Sequence, residues 1–297
     1  MRKVLECLSV FALLACPIAM MGQMSGDMDK MGGPPKVLQI IREDSKPGKT
    51  MAHRQHEAAW TQAMIKADPK IPHMLTISAV SGPDEDWFMM GFDGFAQVEK
   101  TNESYENNPT LAQVMASYST KETDFVSETR TILARYRPEL SYQPNFPLGE
   151  YKYFSVLLVR YKLGSGPDEV AKIVAAAREK AHPDYHSIGY EVTSGMPVGT
   201  YIYFTPIKSM AAWDEPPNKE YSAALKEGGF FDAVGKTVQS AESRLYSFSP
   251  RMSYVPEDVA KANPSFWHPK TQMTKASPAA KTAKPVGLKE TKTEQKQ

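Results

Sequence analysis

Two stretches more than a hundred residues apart repeat one pattern in register: Arg135-Tyr136-Arg137-Pro138-Glu139-Leu140-Ser141-Tyr142 and Ser247-Phe248-Ser249-Pro250-Arg251-Met252-Ser253-Tyr254. Aromatic, proline, apolar, serine and tyrosine positions coincide. With small drifts at loops, the same register matches Val37–Arg42 to Phe154–Arg160, and Pro69 and His73 to Pro183 and His186. Solenoid units run to roughly 20–50 residues, so a repeat this long marks a doubled domain. The 297 residues also exceed what one typical domain of roughly 100–200 needs.

Each half then yields the same order of elements. A β-rich run, Lys36–Arg42 or Tyr153–Tyr161, ends in a turn carrying Pro47-Gly48 or Gly164-Ser165-Gly166-Pro167. A helix follows. In the second half Val170, Ile173, Val174, Ala177 and Ala181 fall on one helical face, and in the first half the predicted face is His56, Ala59, Trp60, Ala63 and Ala67. Two strands come next as a hairpin, Met74–Val80 with Trp87–Phe92 and His186–Thr193 with Thr200–Thr205. A second helical region and a last strand close each half. The order β-α-β-β-α-β is that of a ferredoxin-like unit. The predicted fold class is therefore α+β, a tandem duplication of this unit at residues 36–147 and 148–268. Helices cover only one face of such a sheet. The two sheets are expected to cover each other's bare faces as an intramolecular dimeric α+β barrel.

The flanks read differently. Met1, Arg2 and Lys3 precede an apolar run from Leu8 to Met21, too short for a stable bilayer span, and residues 1–22 are predicted to be a signal peptide. The expected location is periplasmic or extracellular, with no transmembrane segment in the mature chain. Leu13-Leu14-Ala15-Cys16 is an imperfect lipobox, the rival reading, with Cys16 as a lipid anchor. Residues 23–35 are a Met/Gly/Pro-rich linker. Residues 269–297, rich in Lys, Ala and Pro, carry too little apolar surface to fold. Met20, Met21, Met24, Met28 and Met31 could hold Cu(I) by their thioethers, but a linker accounts for them.

Several chemistries are excluded. Both cysteines, Cys7 and Cys16, fall in the leader, which removes disulfides, cysteine nucleophiles and thiolate-held zinc or iron–sulfur centres from the processed chain. A formal net charge of +1 gives no field for nucleic acid. No nucleophile elbow, phosphate-binding P-loop, dinucleotide fingerprint or calcium-binding loop occurs.

The strand, Gly/Pro turn and helix ahead of an aromatic hairpin resemble the dimeric α+β barrel superfamily, in its NIPSNAP-like and antibiotic-biosynthesis-monooxygenase-like branches. More closely, Gly91-Phe92-Asp93-Gly94-Phe95-Ala96-Gln97-Val98-Glu99-Lys100 and the ending Phe248 to Glu257 are similar to a group of secreted bacterial proteins with no assigned reaction. The resemblance implies the fold. For activity it implies a cofactor-independent monooxygenase or a haem-dependent oxidoreductase, and such sites are grafted on folds rather than dictated by them.

Candidate site residues follow from type and position. His53 and His56 share a helix face and could meet a metal or, as the resemblance implies, a haem, although His-x-x-His-Glu is neither the zincin motif nor its inverse. His73 and His186 stand at equivalent hairpin starts, where they would form a paired-imidazole site only if the halves brought them together, a structural hydrogen bond at each strand entrance being the default reading. Arg42 and Arg160 end the two first strands and could grip a carboxylate or phosphate, although such an Arg more often pairs with a local acid and snorkels at the sheet edge. Tyr142 and Tyr254 close the repeats and read chiefly as packing. No cofactor is predicted from the residues themselves. The expected function is binding of a small apolar ligand or a protein partner in an inter-sheet cavity, with Trp87, Phe88, Met89, Met90, Phe92, Tyr201, Tyr203 and Phe204 either walling it or serving equally as plain core. A Lys-rich tail meeting anionic envelope polymers is a third reading.

Overall fold

In a computed structural model that describes residues 33–269, the first half contributes β1 (Val37–Ser45), α1 (Thr50–Ala67), β2 (Met74–Ala79), β3 (Glu85–Phe92), α2 (Phe95–Asn107), α3 (Pro109–Glu122) and β4 (Val126–Tyr136). The second contributes β5 (Tyr153–Tyr161), α4 (Asp168–Ala181), β6 (Ile188–Ser194), β7 (Thr200–Ile207), α5 (Lys219–Glu227), α6 (Phe230–Thr237) and β8 (Val238–Phe248). Two short helices, α7 (Glu257–Ala262) and α8 (Pro264–Trp267), extend the second half beyond the repeat. Where one late helix was predicted per half, each has two. In the first half Asn108-Pro109 supplies the break: the Asn108 side chain caps the amides of Thr110 and Leu111, and proline takes the first turn. The leader, the methionine cluster, both cysteines and the tail from Lys270 lie outside the described residues.

The strands close into one barrel in the order β1-β3-β2-β8-β5-β7-β6-β4, every pairing antiparallel. Each half is a four-stranded ferredoxin-like sheet, and the halves join edge to edge at β2–β8 and β4–β6. This is the expected α+β class, a dimeric α+β barrel made by one chain. Barrel closure leaves no free sheet edge. Alternation round the ring makes β1, β2, β5 and β6 run the same way, so the halves are related by rotation about the barrel axis. At the β4–β6 seam Gly195, with φ +89°, passes so close to Thr131 that a Cβ would lie 2.1 Å from its carbonyl oxygen.

Period-two alternation divides the core into an inside and an outside. Leu38, Ile40, Ile77, Trp87, Met89, Ile132, Val156, Ile202, Phe204 and Tyr246 point into the lumen as one cluster. Outside, Val37, Phe88, Met90 and Phe92 pack beneath α1 and α2, and Val159, Tyr161 and Tyr201 pack beneath α4. Full burial of such side chains favours folding by about 1.5–3 kcal/mol each. Of the hairpin side chains predicted to wall one cavity, only Trp87, Met89 and Phe204 face inward. Phe88, Met90, Phe92, Tyr201 and Tyr203 lie on the other parity, under helices.

The α1 face also differs from its prediction. His53, Glu57, Thr61 and Met64 are buried and Ala59 is exposed. Counting apolar residues chose the wrong stripe because the buried stripe is largely polar.

Ladder register corrects the pairing of Arg42 with Arg160. Val37 lies opposite Arg135, and Tyr153 opposite Ser247. Since Arg135 and Ser247 match in the repeat, Arg42 corresponds to Leu158, and Arg160 to Asp44.

Candidate functional site

The lumen is not filled end to end. Where β1, β2, β5 and β6 begin, it opens into a cavity of about 390 Å³ walled by Leu38, Leu75, Met89, Phe154, Tyr190 and Phe204. Gly33–Pro35 and Pro144–Phe146 form its rim, joined by Leu148 and Val259. Phe204 packs at a tilt against Phe154 at 5.4 Å and edge-to-face with Tyr190 at 6.1 Å, fixing much of the wall. The Tyr190 hydroxyl donates to the Pro35 carbonyl at 3.1 Å, tying the chain ahead of β1 to β6. Burial pushes that phenol well above its usual pKa, so it remains neutral and committed.

One side of this mouth is covered by the C-terminal extension. The Trp267 indole donates to the Gly149 carbonyl at 3.1 Å, and Val259 from α7 reaches the cavity. Only glycine fits at 149, since a Cβ there would lie 2.3 Å from the Val259 carbonyl oxygen.

The opposite end of the lumen is charged. Arg42 and Arg244 converge on the fully buried Glu85, which also accepts a hydrogen bond from Tyr246. Leu38 lines the cavity and Arg42 is four residues farther along the same face, about 13 Å at the rise of a strand. Arg42 is therefore held at the far end by Glu85 and Asp44. Arg160, beside Thr200 and Ser240 in the ladders, shares that end. Neither arginine reaches the cavity as an anion grip.

The equivalent histidines stand on opposite sides of the barrel, at the starts of β2 and β6, and are not brought together. His73 stacks on Tyr254 at 4.7 Å, and the Tyr254 hydroxyl donates to the Pro69 carbonyl at 2.8 Å. His186 lies nearer the cavity, 5.3 Å from the rim residue Phe146. Its Nδ1–H donates to the Gln143 carbonyl at 2.7 Å. Tyr142 packs on Tyr185 with the Arg178 guanidinium 4.9 Å from its ring, away from the cavity lining.

A second constellation lies on the outer face of the first sheet, beneath α1. His53 is fully buried, with Nε2 at 2.8 Å from Glu43 Oε2 and Nδ1 at 3.3 Å from Asp86 Oδ2. Arg54 holds Asp86 in turn, Nε to Oδ1 at 3.0 Å. Burial opposes a charged imidazole here, but the bonds to Asp86 and Glu43 outweigh it and raise His53 to about 9. Burial, then the Glu43 charge, pushes the Glu57 carboxyl up to about 8. Burial and Glu43 likewise raise Glu122, at the end of α3, to about 7. Ligand atoms of Glu43, His53 and Glu57 all lie within 4.8 Å of one another.

His56, the predicted companion of His53, turns away. It packs between Tyr118 and Phe125 at 5.2 and 5.3 Å, and burial lowers its pKa. Haem does not fit these two positions: both His53 nitrogens are engaged, and the His56 ring is enclosed by aromatic neighbours outside the lumen. The sequence reading missed Glu43 and Asp86, which face each other across the β1–β3 ladder. Two acids on the helix-covered parity of a ferredoxin-like sheet were the available signal.

No protein-family model and no curated protein matches the chain. Among solved structures it is similar to a candidate monooxygenase from Lactobacillus acidophilus NCFM, at 9% identity over 72% of this chain and 94% of that one, with a TM-score of 0.44. It is similar to an anthrone oxidase-like protein at 11% identity over 72% and 92% of the two chains, TM-score 0.43. A mutant chlorite dismutase from Candidatus Nitrospira defluvii aligns at 11% identity over 80% and 99%, TM-score 0.46. Likeness at this level says nothing of chemistry.

Proposed function

We propose that the chain binds a small apolar molecule inside the barrel, at the end where β1, β2, β5 and β6 begin. The observation that carries this reading is the cavity itself: about 390 Å³, walled by Leu, Met and Phe side chains. That volume falls in the range of small-molecule sites, and burial of apolar ligand surface against such walls supplies the affinity. Asn145 at the rim offers a polar contact for one end of the ligand.

A cofactor-independent monooxygenase that begins by deprotonating its substrate would need a proton acceptor at the cavity. Among the described lining residues the ionisable group is Tyr190, whose hydroxyl is spent on Pro35. The cavity is therefore suited to binding without turnover. We also propose that the chain is exported, on the basic start and apolar run of residues 1–22, and that its kinship lies with the NIPSNAP-like and antibiotic-biosynthesis-monooxygenase-like branches, on the Gly/Pro turn and aromatic hairpin. N-terminal sequencing of protein from the periplasm or medium tests export.

The binding test uses N-phenyl-1-naphthylamine as a fluorescent probe, with Ile188→Trp alongside. Ile188 lines the cavity and is only partly buried, so the larger ring fills the space without strain on the deep core. Saturable one-to-one binding in the parent chain, weakened at least tenfold in the variant, is expected. Equal binding by both, or none by either, would overturn the proposal.

A further inference from the structure

The buried cluster under α1 has no role in ligand binding at the lumen, yet it is expensive to maintain. Enclosing several ionisable groups costs several kcal/mol each before pairing, and a well-packed apolar replacement often serves stability as well or better. The second half of this chain contains that replacement. By ladder register Glu43 corresponds to Val159 and Asp86 to Tyr201. Val159 and Tyr201 pack with Val170 and Ala171 of α4 as an ordinary apolar cluster. The second half therefore closes the equivalent space without charge.

Two further observations point to a cation. Glu57 is 7% exposed and engages no hydrogen-bond donor among the described residues, its ion-pair contact being His56 Nε2 at 4.0 Å. Its carboxylate nonetheless converges with Glu43 and His53. The histidine is also braced as metal-bound histidines are. One nitrogen meets Asp86, which Arg54 fixes, while the other faces the carboxylates.

We propose that Glu43, His53 and Glu57, with Glu122 at the margin, form a site for one divalent first-row metal ion that clips α1 to β1. One imidazole with carboxylates suits Zn²⁺ or Mn²⁺ better than Mg²⁺, which holds its water and prefers oxygen alone. His53 Nε2 and Glu43 Oε2, now 2.8 Å apart, would separate by about half an ångström to share an ion at roughly 2.0–2.2 Å from each. Side-chain torsions absorb that change. With its ligands enclosed by a helix and a sheet, the site is structural rather than catalytic.

The experiment is calorimetric titration of the chain, purified without a histidine tag and stripped with chelator, using ZnSO₄, MnCl₂ and MgCl₂, with thermal melts in parallel. Expected are one Zn²⁺ or Mn²⁺ per chain, weaker Mg²⁺, a melting temperature that rises with the ion, and nitrogen modulation in the pulsed EPR spectrum of the Mn²⁺ form. Glu57→Gln keeps the shape and removes the carboxylate that an ion would need, and should weaken binding at least tenfold while the metal-free protein melts no lower. Absence of saturable binding by either ion, equal binding by the variant, or a Mn²⁺ spectrum without nitrogen would each overturn the proposal.

Discussion

Arg42 Nε and Glu85 Oε2 lie 2.5 Å apart at the charged end of the lumen, an ion pair without the angle of a well-aligned hydrogen bond. Glu85 is fully buried and also binds Arg244 and Tyr246. Burial pushes its carboxyl up, but the Tyr246 and Arg244 hydrogen bonds, with the Arg42 charge, outweigh burial and hold it below the usual range. A carboxyl more acidic when folded adds stability that is complete above its unfolded value, about 4.3. That stability fades as pH falls through the folded value. Glu85→Gln leaves two guanidinium groups without their shared anion and should cost about 3 kcal/mol or more at neutral pH. Denaturant midpoints from neutral pH to about pH 3 should fall less steeply in the variant than in the parent. Parallel acid slopes would refute this account of Glu85.

Phe204 is 2% exposed and braces the cavity wall against Phe154, Trp87 and Tyr190. Phe204→Ala should destabilise by about 3–5 kcal/mol, the range for losing a buried aromatic side chain. It should also enlarge the cavity. Chemical denaturation reads the first effect, and tighter binding of probes bulkier than N-phenyl-1-naphthylamine reads the second.

Gly149→Ala drives a methyl group into the Val259 carbonyl and within 2.6 Å of the Ala262 Cβ. Backbone cannot yield as a side-chain tip does, so α7 must lift and the Trp267 bond to residue 149 must break. A loss of about 1–3 kcal/mol is expected, as for other overpacked sites. Greater quenching of tryptophan emission by acrylamide should accompany it. Unchanged quenching would mean that the extension does not rest on this glycine.

Asn108 Oδ1 accepts from the Thr110 and Leu111 amides at 3.1 and 3.2 Å at the start of α3. Asn108→Ala should cost about 0.5–2 kcal/mol, with Asn108→Ser recovering most of it. A melting curve for each variant is sufficient.

The repeat ending in Pro-apolar-Ser-Tyr was enough to read the strand order of both halves, because strand alternation and turn residues are local signals, but not the division of each late helical region into two helices. Tyr142 and Tyr254 each form the same backbone bridge, to Ser187 and Met74 respectively. Two further things were not legible. Arg42 and Arg160 were paired by residue type across strands that differ by two positions, and only ladder partners reveal that shift. His53, Glu57 and Thr61 escaped notice as a buried stripe because hydrophobic periodicity cannot see a polar interface, and Glu43 and Asp86 become their neighbours only when β1 and β3 pair.

Rotation of one half onto the other about the barrel axis has a consequence for whatever occupies the lumen. A barrel assembled from two identical subunits would present every guest with two indistinguishable orientations, and any feature at its mouth would occur twice. Here a single α7–α8 extension covers one side of the mouth, so the degeneracy is lifted. A guest with unlike ends can be held in one sense, and each half is free to change without imposing the change on its twin.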